Sequence, residues 1–212
     1  MKIGILGAGN IGGTVGGLWV AAGHEVRFGT RHPEELKGLV ERLGARASAG
    51  TPEEAARFGD AVLLAVPLGA VPALGRAIAN LVAGKVVLDT SNAYRNRDGA
   101  MADAATRHAQ GSSGWVASHL PAAHVVKAFN TVYFKLLASE AHRGGGDGLG
   151  IPLAGDDARS LATAEQLVRD AGFMPVAVGA LSKGKQFEPE TPVYASGMRA
   201  SEVARALGVA VA

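Results

Sequence analysis

The chain contains no cysteine. That excludes disulfides, thiolate nucleophiles and cysteine metal sites, and it is neutral about compartment. A dominant charge is missing too: 21 Lys and Arg stand against 19 Asp and Glu, a formal net charge of +2, with no basic run. A nucleic-acid-binding face is therefore not expected, although a pI near 9.0 suits small anionic ligands. No apolar run approaches the length needed to span a bilayer, and no basic region precedes a long apolar segment at the N-terminus. The expectation is a soluble, cytoplasmic protein without a signal peptide or membrane segment. No His/Asp/Glu cluster has metal-ligand spacing, and no Gly-x-Ser-x-Gly elbow occurs. What is present is 212 residues at 48% hydrophobic content, enough for one large domain or a domain with an appendage.

The informative segment is the first. MKIGILGAGNIG reads as a short apolar strand, residues 3–6, running into Gly7-Ala8-Gly9-Asn10-Ile11-Gly12. This is G-x-G-x-x-G at a strand-to-helix junction, the pattern of a dinucleotide site. Gly7 allows the sharp turn, Gly9 lets a pyrophosphate approach the backbone, and Gly12 lets the helix pack closely on the strand. Asn10 and Ile11 open the helix, whose free N–H groups and positive dipole end face the ligand. The alternative is a glycine-rich structural turn in a chain with 30 glycines.

Strands and helices alternate from there. Ile11, Val15, Leu18 and Ala22 mark a helix ending at Gly23, and residues 24–29 a second strand. Pro33 opens a helix that ends at Gly44. Thr51-Pro52-Glu53-Glu54 is a capping box for a short helix ending near Gly59. Residues 60–67, DAVLLAVP, read as a buried parallel strand. A helix over 70–82 and a strand over 85–89 follow. Residues 98–109 read as a helix, 111–114 as a loop, 124–129 as a strand and 143–150 as a flexible connector. Then come a strand over 151–154, a helix capped by Asp156 or Asp157 and ended by Gly172, and a strand over 174–178. The tail over 182–192 is polar, and a last helix spans 196–207. There is no internal repeat. The pattern predicts an α/β fold with a doubly wound, mostly parallel sheet. Residues 1–142 form the dinucleotide-binding domain, and residues 151–212 a small C-terminal α/β extension completing the substrate groove. No role is assigned to residues 94–114 or 182–192.

Cofactor choice is read at the end of the second strand. An acid there would take the ribose 2′-OH of NAD, but the chain has Phe28-Gly29-Thr30-Arg31-His32. Arg31 can pair bidentately with a 2′-phosphate and Thr30 can add a hydrogen bond, which points to NADP(H). Alternatively, Arg31 is a solvated residue paired with Glu34 or Glu35. In this fold, ligands lie across the carboxyl ends of the strands. Residues 65–68, 89–92 and 129–132 end there, so Val66, Pro67 and Asn92 are expected cofactor walls. Asn92 could instead cap its strand in an Asx turn. His119 is expected to be structural and His124 exposed, and Lys127 to snorkel, pair with Asp89 or act as a catalyst. No residue is assigned as acid or base, which suggests direct hydride transfer.

GILGAGNIG, FGTR, LLAVP, VVKAFNTV, PLAGDD and the closing GF-P-V–GAL resemble the NADPH-dependent reductases of the deazaflavin coenzyme F420. The cytosolic reductase domain of the STEAP metalloreductases shares the pattern. The resemblance runs to about Leu181 and implies a Rossmann core binding NADP, with a C-terminal part shaping a groove for the hydride partner. It places Asn130 and Thr131 beside the meeting point of nicotinamide and substrate. The function so implied is hydride transfer between NADP(H) and a planar acceptor, F420 foremost; a homodimer is a separate expectation. The alternatives are a flavin or ferric reductase of the STEAP type and a non-catalytic NADP(H)-binding sensor. β-Hydroxyacid, imine and pyrroline-carboxylate reductases share the N-terminal half but add a long helical domain, and only about sixty residues follow Gly150.

Overall fold

A computed structural model of the chain describes residues 1–210; positions 211 and 212, the end of the expected extension, lie outside the described residues. β1 (Lys2–Leu6) passes to α1 (Asn10–Ala21), and β2 (Glu25–Gly29) to α2 (Lys37–Leu43). β3 (Ala47–Gly50) and α3 (Pro52–Phe58) follow, then β4 (Ala61–Leu64), α4 (Val71–Ile78) and β5 (Val86–Asp89). Next come α5 (Arg95–Asp98), α6 (Ala100–Arg107), α7 (Gly111–Ser118), β6 (His124–Lys127) and α8 (Phe134–Glu140). β7 (Gly150–Gly155), α9 (Ala158–Asp170), β8 (Met174–Gly179) and α10 (Ala200–Leu207) complete the described chain.

These strands form one sheet in the order β3-β2-β1-β4-β5-β6-β7-β8. Neighbours pair in parallel except β6 with β7. The chain winds outward from β1 to β3, then crosses to β4 on the other side of β1. That reversal opens a crevice beyond the carboxyl ends of β1 and β4, where doubly wound folds bind ligands. This is the Rossmann NAD(P)-binding architecture. The C-terminal strands β7 and β8 continue the same sheet through β6.

β4, with the burial pattern of a strand covered on both faces, is a run of four buried apolar residues. One core lies between the sheet and α1, α2 and α9; a second lies under α3, α4, α6 and α7. The indole Nε1 of Trp19 donates to the Leu167 carbonyl at 2.7 Å, and the His24 ring meets Asp170 at 2.9 Å, so α1 is pinned to α9. The capping box forms as read: Glu54 N–H donates to Thr51 Oγ1 at 3.2 Å, and Thr51 N–H to Glu54 Oε2 at 2.8 Å.

Several local expectations differ. Residues 111–114 are not a loop but the first turn of α7, because Ser112 and Ser113 are buried there as hydrogen-bond partners of Lys127. The helix read over 98–109 is broken at Gly99, whose φ of 57° separates α5 from α6. β3 and α8 form where the sequence pattern predicts neither. Of the two residues read as the cap of α9, Asp157 takes the role, as expected, while Asp156 accepts from the Leu181 N–H at 2.9 Å. The last helix starts at Ala200 rather than residue 196.

Candidate active site

The glycine loop divides its work by geometry. Gly7 has φ +99°, and a Cβ there would lie 2.5 Å from the Ala65 carbonyl oxygen. A Cβ on Gly12 would overlap the Gly7 carbonyl oxygen and press on Ile5 at 3.1 Å. Gly9 has an ordinary φ of −71°, and a Cβ there would meet nothing within 4 Å. Gly7 and Gly12 are therefore required by the protein's own packing. Gly9 leaves open space at the head of α1. No side chain caps that helix end, and its first intrahelical N–H bond begins at Gly13, 2.7 Å from the Gly9 carbonyl. The N–H groups of Asn10, Ile11 and Gly12 remain for an anion.

From this opening a cavity of about 510 Å³ extends across the strand ends. Gly9, Asn10 and Ile11 line one side, Ala65, Val66 and Pro67 the next, and Thr90, Ser91 and Asn92 the floor beyond β5. Residues 129–134 close the far side, joined by Tyr94, Arg97, Tyr194 and Ala195. The three strand-end segments read from the sequence thus meet in one groove. Gly7, Gly12, Thr30 and Arg31 do not line it. Thr30 lies next to the glycine loop, since Gly7 N–H donates to the Gly29 carbonyl at 3.0 Å. Arg31 is exposed and makes no ion pair among the described residues; Glu34 turns instead to His32, at 3.4 Å.

The polar groups of the groove are tightly tied yet incompletely satisfied. Asn92 and Asn130 form a reciprocal clamp. Asn92 Nδ2 donates to the Asn130 carbonyl at 2.9 Å, and Asn130 Nδ2 donates to Asn92 Oδ1 at 3.1 Å and to the Phe187 carbonyl at 3.0 Å. The Asx turn belongs to Asp89, whose carboxylate accepts from Ser91 N–H at 2.9 Å. Ser91 Oγ, Asn130 Oδ1 and Thr131 Oγ1 are buried without a partner among the described residues. Each such atom costs about 1–3 kcal/mol, so three at one site fit a place where a ligand supplies the partners.

Phe129 turns the chain into this wall. It is fully buried with φ 58°, a conformation that costs a non-glycine residue about 1–2 kcal/mol. Edge contacts with Trp19 and Phe173, at ring-centroid distances of 6.0 and 6.2 Å, hold it there. Ala195 is left-handed as well, at φ 53°, and its N–H donates to the Thr131 carbonyl at 2.8 Å. The tail is thereby tied to the strand end.

Lys127 neither snorkels nor reaches the groove. It is fully buried, and its Nζ donates to Ser112 Oγ at 2.8 Å, Ser113 Oγ at 3.2 Å and the Ser91 carbonyl at 3.3 Å. Glu188 stands 3.6 Å away, and Asp89 is reached through Ser113, at 2.5 Å from its hydroxyl. This network welds α7 and the tail beneath the groove, which gives both previously unassigned segments a structural task. His119 is structural, its ring set against Trp115 at 4.4 Å and its Nδ1 by the Trp115 carbonyl. His124 is exposed.

The sequence reading missed Tyr94, Arg97, Tyr133, Phe134 and Tyr194 as groove residues. Tyr133-Phe134 follows Asn130-Thr131 closely enough for proximity to have flagged it. Nothing local flags Tyr194. Asp98 organises the remaining wall. Burial resists its ionisation, but the Arg97 guanidinium and the N–H groups of Tyr94 and Gly69 outweigh that and hold its carboxyl below the usual range. Arg97 also donates to the Asn92 carbonyl at 2.9 Å.

Among the described residues no helix is long and apolar enough to cross a membrane, and no three His, Asp or Glu side chains gather as a metal site. Comparison with known proteins agrees with the architecture. The chain is 29% identical over 187 residues to Metalloreductase STEAP3 of Rattus norvegicus, a span that covers 88% of this chain and 36% of that protein. It therefore spans about a third of that relative's length. A hypothetical protein of Sinorhizobium meliloti superposes with a TM-score of 0.78 at 26% identity, over 94% of each chain. An Arthrobacter sp. FB24 protein with a proposed F420-dependent NADP-reductase role superposes with a TM-score of 0.75 at 24% identity, over 100% of this chain and 96% of that one. Residues 2–93 match the family described as NADP oxidoreductase, coenzyme F420-dependent. That stretch holds GILGAGNIG, FGTR and LLAVP, three of the motifs that carry the resemblance.

Proposed function

We propose that the chain is an NADP(H)-dependent oxidoreductase that passes a hydride between nicotinamide and a planar acceptor, with the deazaflavin coenzyme F420 the first candidate. The observation that carries this is one continuous groove joining two chemistries. One end is the uncapped head of α1 beside Gly9, suited to a pyrophosphate. The other is a wall of aromatic rings and unpaired amide and hydroxyl oxygens, suited to flat heterocycles.

When bound, NADPH supplies the hydride. The chain's residues hold and orient. Asn10, Ile11 and Gly12 offer N–H groups to the diphosphate, and Thr30 with Arg31 meet the 2′-phosphate beyond β2. Val66, Pro67 and Asn92 bound the nicotinamide, whose carboxamide can satisfy Asn130 Oδ1. Asn130 and Thr131, together with Tyr194 and Ala195 of the C-terminal extension, shape the acceptor side. No Asp, Glu, His or Lys lines the groove among the described residues, so direct transfer needs no carboxylate or imidazole relay.

The test is a primary label. NADPH deuterated at the transferable position should deliver deuterium to oxidised F420, in single turnover, without wash-out to solvent. Label found in water, or no reduction of F420, flavin or quinone by a protein that binds NADPH tightly, would overturn the enzymatic reading. The second outcome is what a binding sensor gives. Preference for flavin or ferric chelates over F420 would align the chain with its metalloreductase relative instead.

A further inference from the structure

Two phenols face each other across the acceptor side of the groove. Tyr94 stands at the entry to α5, Tyr194 in the C-terminal loop, 100 residues apart in sequence. Their hydroxyls share a hydrogen bond, and both rings line the cavity with Ser91, Asn92 and Asn130. Each tyrosine is held by its own scaffold. The Tyr94 N–H donates to Asp98 at 3.1 Å, and the Arg97 guanidinium lies 4.9 Å from the Tyr94 ring centre. The neighbour of Tyr194 is anchored through the Ala195–Thr131 bond.

In such a pair one O–H is spent on the partner oxygen, whichever residue donates it. The other O–H has no protein acceptor among the described residues. The site therefore holds an uncommitted phenolic donor, beside the unpaired hydroxyls of Ser91 and Thr131 and the unpaired amide oxygen of Asn130. Burial, and then the bond to Tyr94, push the Tyr194 phenol above its ordinary range, so it stays neutral.

We infer that Tyr194, backed by Tyr94, is the hydrogen-bond donor to the hydride acceptor. It selects acceptors whose hydride-receiving carbon is conjugated to a carbonyl or ring nitrogen. As that carbon gains the hydride, the displaced electron pair moves to the conjugated heteroatom. The nicotinamide is left oxidised, and water then protonates the heteroatom. The Tyr194 O–H bond to that atom strengthens as charge builds, which is what lowers the barrier. This rests on the reading under Proposed function.

The experiment compares wild type with Tyr194→Phe and Tyr94→Phe, using oxidised F420 and FMN as fluorescent probes. NADP⁺ affinity certifies the fold and should stay within about twofold. The affinity of the protein–NADP⁺ complex for F420, read by its fluorescence, should weaken several-fold in Tyr194→Phe. The single-turnover hydride transfer rate should fall by about a hundredfold, the scale for losing one oxyanion donor. Tyr94→Phe should lie between, because Tyr194 remains but loses its orienting partner. Transfer and F420 affinity intact in Tyr194→Phe would overturn this inference and leave the hydride reading standing. No transfer by wild type would overturn both.

Discussion

One substitution, glycine to alanine, should have three different outcomes within six residues. At Gly12 the new methyl overlaps the Gly7 carbonyl, and backbone must move; such overpacking costs about 1–3 kcal/mol. At Gly7 the methyl meets the Ala65 carbonyl, and φ +99° adds about 1–2 kcal/mol, for a total of about 2–5. At Gly9, φ −71° suits alanine and the space is open. Reduced entropy of the unfolded chain contributes about 0.4–1 kcal/mol, and loss of the N-cap glycine offsets a similar amount, so stability should barely change. Binding should follow the opposite order. A methyl at Gly9 holds the pyrophosphate off the helix N–H groups. Losing two charge-assisted bonds of about 1.5–3 kcal/mol each weakens NADPH by about a hundredfold or more. Urea unfolding of the three variants, with calorimetric titration of NADPH into Gly9→Ala, reads both quantities. Normal NADPH affinity in Gly9→Ala would refute the placement of the pyrophosphate. Wild-type stability in Gly12→Ala would refute the packing argument.

Arg31→Ala should weaken NADPH about ten- to a hundredfold, one charge-assisted hydrogen bond, and leave NADH within about twofold; equal losses in paired titrations would remove Arg31 from the 2′-phosphate. Lys127→Met should cost about 3–5 kcal/mol in urea unfolding, because Glu188 loses its buried cation and Asp89 the charge it meets through the Ser113 hydroxyl. A loss below about 1 kcal/mol would show that the network is not what holds α7 and the tail.

How far the sequence carried the fold depended on which interactions were local. β1, β4 and the Thr51 capping box are written in adjacent residues; β1 and the box form where their patterns stand, and β4 forms over Ala61–Leu64, the middle of the run read over 60–67. β3 escaped because Ala47–Gly50 is four small residues at a sheet edge, specified by pairing with β2 rather than by hydrophobic alternation. α7 was hidden by its composition. Gly-Ser-Ser-Gly reads as a loop until Lys127, on a strand that follows it in the chain, buries both hydroxyls. The polarity that argued against a helix is the polarity that a buried ammonium requires.

The same division runs through the groove. Val66, Pro67, Asn92, Asn130 and Thr131 could be located because strand ends in a doubly wound sheet converge, whatever follows them. Tyr194 could not, since its place depends on a loop that returns after two further strands and is fixed by single contacts. Those contacts are costly ones. Phe129 and Ala195 both hold left-handed backbone, on opposite sides of the Thr131 carbonyl that joins their segments. Trp19 and Phe173 offset the strain at Phe129 by burying its ring, so the turn that aims Asn130 into the groove draws on the core packed behind it. Trimming either aromatic would therefore act on the wall of the groove through Phe129, without replacing any residue that lines it. The precision of this wall is stored in the aromatic core, where local sequence patterns register only hydrophobicity.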